Sequence, residues 1–187
     1  DGTPDKERMA ALVKQLGFLK ENGEQVILVT SGAVAFGRKA VSFEDRGESV
    51  VKKQILASVG QIELIRSYKE LFLKEGHQIA QLMVTKEDFR DRKHYLNMKS
   101  CLLGLLKYKI IPVINENDAV AVTELMFTDN DELAGLVAAM VDAHSLVLLT
   151  NVDGIYKGHP DDEGAEVIER VGKTMPEVSQ FVSKSKS

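Results

Sequence analysis

The sequence predicts an α/β layered fold built on a largely parallel sheet. Short apolar runs alternate along the chain with longer segments of helical periodicity. The runs are apolar at consecutive positions, as in strands covered on both faces, rather than alternating as in a sheet with one wet face. Strands and helices in alternation are the pattern of helices packed over a parallel sheet. The length of 187 residues suits one domain or part of a larger one.

In chain order, Met9, Leu12, Val13, Leu16 and Leu19 form one apolar helical face. Val26 to Val29 is the first strand. Ile55, Val59, Ile62, Ile65 and Phe72 recur mostly at spacings of three and four, which predicts a helix with those residues on its packed face. Ile79 to Val84 is the second strand, and Tyr95 to Tyr108 a further helix. Ile110 to Ile114 is the third strand. Pro112 has no N–H to give to a ladder, so it argues for a strand start or a bulge there rather than a central strand. Asn130 to Ala143 is an apolar helix preceded by the capping residues Thr128 and Asp129. Leu146 to Leu149 is the fourth strand. Val41 to Ser49 and Lys157 to Ala165 are expected surface loops, the second rich in Gly, Pro and Asp.

Composition narrows the class of function. Hydrophobic residues at 44% supply a core, which excludes disorder as the main state. The single cysteine, Cys101, excludes an internal disulfide and disfavours a cysteine-built zinc site. No apolar run approaches the ~18 residues of a membrane-spanning helix. Asp1 to Glu7 is polar and reads as no signal peptide, so a cytoplasmic location is expected. A net charge of −4 disfavours nucleic-acid binding by this domain.

In open α/β sheets ligands sit beyond the carboxyl ends of the strands. After the first strand comes Thr30-Ser31-Gly32-Ala33. Gly32 lets the backbone approach closely, Ser31 adds a hydroxyl, and the following helix offers free N–H groups to an anion; the alternative is an ordinary βα turn with an N-cap serine. After the third strand comes Asn115-Glu116-Asn117-Asp118, polar groups that either bind an amino or hydroxyl group or form an Asx-rich turn. Thr128 to Glu132 carries more carboxylates than a helix cap requires. After the fourth strand, Thr150 and Asn151 are the first polar groups, where a nucleotide could rest. Neither a Walker A sequence nor GxGxxG is present. His77, His94, His144 and His159 have no metal-ligand spacing and read as surface or turn positions; no metal site is expected among the side chains.

Together VTSGAVAFG (Val29–Gly37), VINENDAVA (Val113–Ala121), FTDNDELA (Phe127–Ala134) and LLTNVDGIY (Leu148–Tyr156) resemble the amino acid kinase family, in the family's order and over essentially the whole chain. Within it, the pairing of NENDAV with TDND is similar to members that act on glutamate. The resemblance implies a three-layer αβα sandwich with a mainly parallel central sheet. It implies ATP-dependent phosphorylation of the γ-carboxylate of L-glutamate, the first step of proline biosynthesis. By the same carry-over, Ser31, Gly32, Asp118 and Asn130 hold glutamate, with Asp118 on the α-ammonium. Asp131 organises the catalytic lysines, and Thr150 and Asn151 touch ATP, although family members often carry Asp in place of Asn151. Mg²⁺ is expected to be held mainly through ATP phosphates. Homo-oligomer assembly and feedback inhibition by proline are carried as expectations.

Phosphoryl transfer between two anions is mostly positioning and charge neutralisation. The family supplies cations from a Lys-x-Gly-Ser/Thr motif on a first strand and from a GTGGMxTK segment, and neither motif is in these 187 residues. Losing one preorganised donor can cost ~2.7–4 kcal/mol. Residues 1–187 are therefore expected to be an amino acid kinase domain lacking its first strand and its C-terminal glycine-rich lysine segment, with the natural protein extending at both ends. A PUA or reductase domain would lie beyond Ser187. Two alternatives stand beside the kinase of glutamate: a family member with a different acyl acceptor, and a catalytically inactive amino-acid-binding module.

Overall fold

The computed structural model describes residues 5–43, 49–121, 129–150, 152–157, 164 and 166–170. The chain divides into two compact units, Asp1–Leu146 and Val147–Ser187.

The first unit runs α1 (Lys6–Glu21), β1 (Leu28–Val29), α2 (Ala33–Ala40), α3 (Val50–Lys74), β2 (Ile79–Val84), α4 (Lys86–Arg90), α5 (Arg92–Lys107), β3 (Ile111–Glu116) and α6 (Asn130–Val141). The three strands form a parallel sheet in the order β1-β3-β2. Consecutive residues of a strand face opposite sides, and β3 makes the layering explicit. Ile111 and Val113 pack with Val13 of α1, Phe36 of α2, and Leu64, Tyr68 and Phe72 of α3. Ile114 packs on the other face with Met98 and Leu102 of α5 and Leu133, Val137 and Met140 of α6. Helices cover both faces, as the continuous apolar runs require.

Pro112 lies in the central strand, against the expectation that its missing N–H would bar it. Ile111 N donates to Gln78 O on the β2 side at 2.9 Å, and Thr30 N donates to Ile114 O on the β1 side at 2.9 Å. Alternation therefore aims position 112 at the β1 side, where pairing begins only at Leu28↔Val113. No ladder bond is lost.

Side chains fix several helix starts: Asp5 caps α1, Ser49 caps α3, Asp91 caps α5 and Asp129 caps α6. The packed face of α3 is Leu56, Ala57, Gly60, Gln61, Leu64, Tyr68 and Phe72. The expected face was wrong in part, since Ile55 and Ile62 are 40% and 65% exposed. Apolar periodicity in so long a helix fits more than one stripe, and the small residues Ala57 and Gly60 decide which stripe can approach α2.

Tyr68 joins α3 to the end of β1, its hydroxyl 3.1 Å from Thr30 Oγ1. Burial pushes the Tyr68 phenol pKa up, against a smaller opposite pull from the Thr30 bond. We expect Tyr68→Phe to cost about 1 kcal/mol, seen in a thermal melt as a midpoint lowered by about 2–4 °C.

In the second unit, Ile155–Lys157 (β4) and Glu166–Ile168 (β5) pair antiparallel. Lys157, expected to open a loop, is the last residue of β4. Positions 158–163 and 165 lie outside the described residues, as do 44–48 of the other expected loop. The expected fourth strand is not formed: 145–150 has no regular structure, and Val147 and Leu149 are 76% and 70% exposed. A strand exists only with a ladder partner for its backbone, and among the described residues none pairs with this run.

Candidate functional site

The carboxyl ends of β1 and β3 and the start of α6 meet in one buried polar network. β3 runs one turn of pleat further than expected, so Asn115 and Glu116 lie inside the strand and are buried rather than beyond it. Buried side chains of this kind must find partners. Asn115 Nδ2 donates to Gln61 Oε1 of α3 at 2.9 Å. Asn115 Oδ1 accepts from Glu116 N at 2.9 Å and from Asn130 Nδ2 at 3.1 Å. Asn130 Nδ2 also donates to Thr30 O at 2.5 Å. Asn130 opens α6, so this bond ties the start of that helix to the backbone immediately before Ser31.

Ser31 is exposed, and Gly32 follows in the left-handed region at φ 104°. That conformation costs a residue with a Cβ roughly 1–2 kcal/mol. Gly32 is the N-cap of α2 and no side chain among the described residues caps the helix, which leaves its first N–H groups open to an anion.

Asp118 sits in the turn after β3, where Asn117 N donates to Val84 O at 2.7 Å. It is half-buried. Burial raises its carboxyl pKa, and the nearby Lys53 ammonium of α3 pulls more weakly the other way. A half-buried carboxylate held above its ordinary range is short of cationic partners, which suits it to receive one from a ligand.

Asp131 is exposed; its backbone N–H goes to the Asp129 cap at 3.0 Å, and among the described residues its carboxylate has no partner. Beside it, Glu132 pairs with Lys86 of α4 at 2.6 Å. Thr150, in the second unit, is exposed, and its Oγ1 accepts from Val152 N at 3.4 Å. Asn151 and Thr128 lie outside the described residues. The first unit thus brings Asn130 together with the strand end that carries Ser31 and Gly32.

His94 is exposed and His77 follows the turn that ends α3, as expected of surface or turn positions, yet each has a defined neighbour. His94 Nδ1 lies 3.0 Å from Asp88 Oδ1. Burial acts to raise the Asp88 pKa, but bonds from Thr85 and His94 outweigh it and hold the carboxyl low. His77 Nε2 is buried against α1 without a hydrogen-bond partner among the described residues; a Cβ on Gly17 would lie 3.2 Å from it. Among the described residues no cluster of three or more His, Cys, Asp or Glu could hold a metal ion.

Gln61, Tyr68 and Lys53 were not marked by any motif in the sequence. Gln61 left a signal: a polar side chain on the stripe Ala57, Gly60, Leu64, Tyr68, where every neighbour is small or apolar. Lys53 left none, because a lysine early in a helix is ordinary.

The amino acid kinase family model matches residues 3–185. Among curated relatives, the Glutamate 5-kinase of Bacteroides thetaiotaomicron is 46% identical, aligned over 100% of this chain and 52% of its own length. The Glutamate 5-kinase of Chlorobaculum tepidum is 48% identical over 100% of this chain and 51% of its own. The Glutamate 5-kinase 2 of Bacillus subtilis is 44% identical over 91% and 46%. The chain spans about half the length of the curated relatives it matches.

Proposed function

The chain belongs to the amino acid kinase family, and on that premise we propose that the whole protein uses ATP to phosphorylate the γ-carboxylate of L-glutamate, giving L-glutamyl 5-phosphate, the first step of proline biosynthesis. One observation carries the reading: Asn130, bonded to Thr30 O and Asn115 Oδ1, stands at the strand end that leads through Ser31 and Gly32 into an uncapped helix. Recognition of an α-amino acid with a second carboxylate asks for both an acceptor and an anion cradle, and these residues offer both. The printed names of the relatives support glutamate as that amino acid.

In this reading Asp118 takes the α-ammonium in a charge-assisted bond. The Ser31 hydroxyl and the N–H groups at the start of α2 receive the γ-carboxylate and the negative charge that develops as the phosphoryl group moves. The carboxylate of Asp131, without a partner among the described residues, orients lysines contributed by segments outside these residues. Thr150 and Asn151 contact the nucleotide. Mg²⁺, held through the ATP phosphates, supplies further charge neutralisation when bound. Assembly as a homo-oligomer, inhibition by proline and a cytoplasmic location belong to the same proposal; among the described residues no helix is long and apolar enough to cross a membrane.

The test is ATP consumption by the full-length protein with Mg²⁺, with and without L-glutamate. Glutamate-dependent turnover, lost on chelating Mg²⁺, is the expected result. Turnover only with another carboxylic acid would move the protein elsewhere in its family. Calorimetric glutamate binding without turnover would make it a binding module.

A further inference from the structure

We propose that Gln61 of α3 is a positioning residue for the amino acid substrate, acting through Asn115 on Asn130; this rests on the reading that Asn130 holds that substrate. Two backbone groups determine how every amide in the relay is turned. At one end, Glu116 N can only donate, so the Asn115 atom 2.9 Å from it is Oδ1. Asn115 Nδ2 therefore points to Gln61, and the Gln61 atom at 2.9 Å is its oxygen. At the other end, Thr30 O can only accept, so the Asn130 atom it meets is Nδ2. The same Nδ2 reaches Asn115 Oδ1 at 3.1 Å. All contacts are donor to acceptor, and no other orientation of the amides satisfies both ends.

The consequence lies at Asn130. Its Nδ2 is spent on two protein oxygens, and among the described residues nothing donates to its Oδ1. Asn130 therefore offers a ligand an acceptor. The ligand group it meets is a donor, such as an ammonium, rather than a carboxylate. The backbone sets that polarity, and Gln61 holds the Asn115 amide in the place where its oxygen reaches Asn130. Gln61 and Asn115 are 8% and 3% exposed, so without the Gln61 oxygen the Asn115 amide has no water to replace it. The Asn115 side chain is then free to shift, and Asn130 loses one of the two oxygens that hold it, keeping only Thr30 O.

The test is steady-state kinetics of the full-length protein with Gln61→Met, which keeps the side-chain length and removes the acceptor. We expect the KM for the amino acid to rise about tenfold, with the KM for ATP and kcat within about twofold. Gln61→Glu retains an oxygen facing Asn115 Nδ2 and is expected to hold KM within about threefold of the parent. In an Asn130→Ala background, Gln61→Met should change KM little further, because the two act as one unit. A merely structural role would lower the melting midpoint and kcat without this split and would add to Asn130→Ala. An unmoved amino-acid KM in Gln61→Met, or additive effects, overturns the inference while the kinase reading stands. Absence of glutamate-dependent turnover in the parent protein overturns both. Should Gln61→Met fail to fold, Gln61→Leu takes its place: a tenfold rise in the amino-acid KM supports the relay, and an unmoved KM overturns it.

Discussion

Asp118→Asn is expected to stabilise the protein and to cripple it. Loss of a charge-assisted bond to the substrate ammonium removes about 1.5–3 kcal/mol, which raises the KM for glutamate by about one to two orders of magnitude. Stability moves the other way. Burial lifts the folded carboxyl of Asp118 above its ordinary value, with only partial relief from Lys53. Between the unfolded and folded pKa values the folded state binds more protons, so stability falls as pH rises through that interval and stays reduced at neutral pH. Asn carries no such cost, and Lys53, left exposed, loses little. Melting curves should show the variant above the parent at pH 7, with the gap closing as pH falls through the raised folded value to the ordinary carboxyl range. A variant that melts lower at neutral pH, or a gap indifferent to pH, would contradict this account of Asp118.

Gly60→Ala is expected to be the most damaging single methyl in the described part of the chain. A Cβ there would lie 1.8 Å from Ala33 O and 2.3 Å from Gly37 N, both backbone atoms of α2. The reverse contact is as tight: a Cβ on Gly37 would meet Leu56 O at 2.0 Å. No rotamer change relieves an overlap with backbone, so α2 and α3 must separate. The cost is about 3 kcal/mol or more, a fall in midpoint of roughly 6–12 °C for a protein of this size. Gly104→Ala is the control, because a Cβ there meets nothing within 4 Å in the interior of α5. It should gain about 0.5–1 kcal/mol from helix propensity alone. The Gly60 variant should also lose turnover well below its melting point, since α2 begins at Ala33, directly after Ser31 and Gly32. Full activity in a folded Gly60→Ala protein would mean that the start of α2 takes no part in binding.

Both results concern how helices and strand ends are brought together, and this marks how far the sequence was legible. The apolar runs at 79–84 and 110–114 and the periodicities around α1, α5 and α6 specified elements, because burial on two faces and on one stripe leave different patterns. Ser31, Gly32 and Asp118 stood out because polar residues directly after an apolar run are placed by the sheet itself, whereas Asn130 and Asp131, which open α6, were singled out by the family resemblance. Leu146 to Leu149 shows the limit of that reasoning, since a run of apolar residues states a preference and only a ladder partner makes a strand.

What the sequence alone determined was the class of fold, the order of the main elements from α1 to α6 and the polar residues at the strand ends, all consequences of local pattern. The tertiary structure decided the rest. It chose which stripe of α3 is packed, through the close approach of Gly60 to α2. It allowed Pro112 in a central strand, because the missing N–H falls ahead of the β1 ladder. It joined Gln61, Asn115 and Asn130 into one relay across segments far apart in the chain. Close approach and hydrogen-bond partnership depend on distances between elements, and no spacing along a single segment encodes those distances.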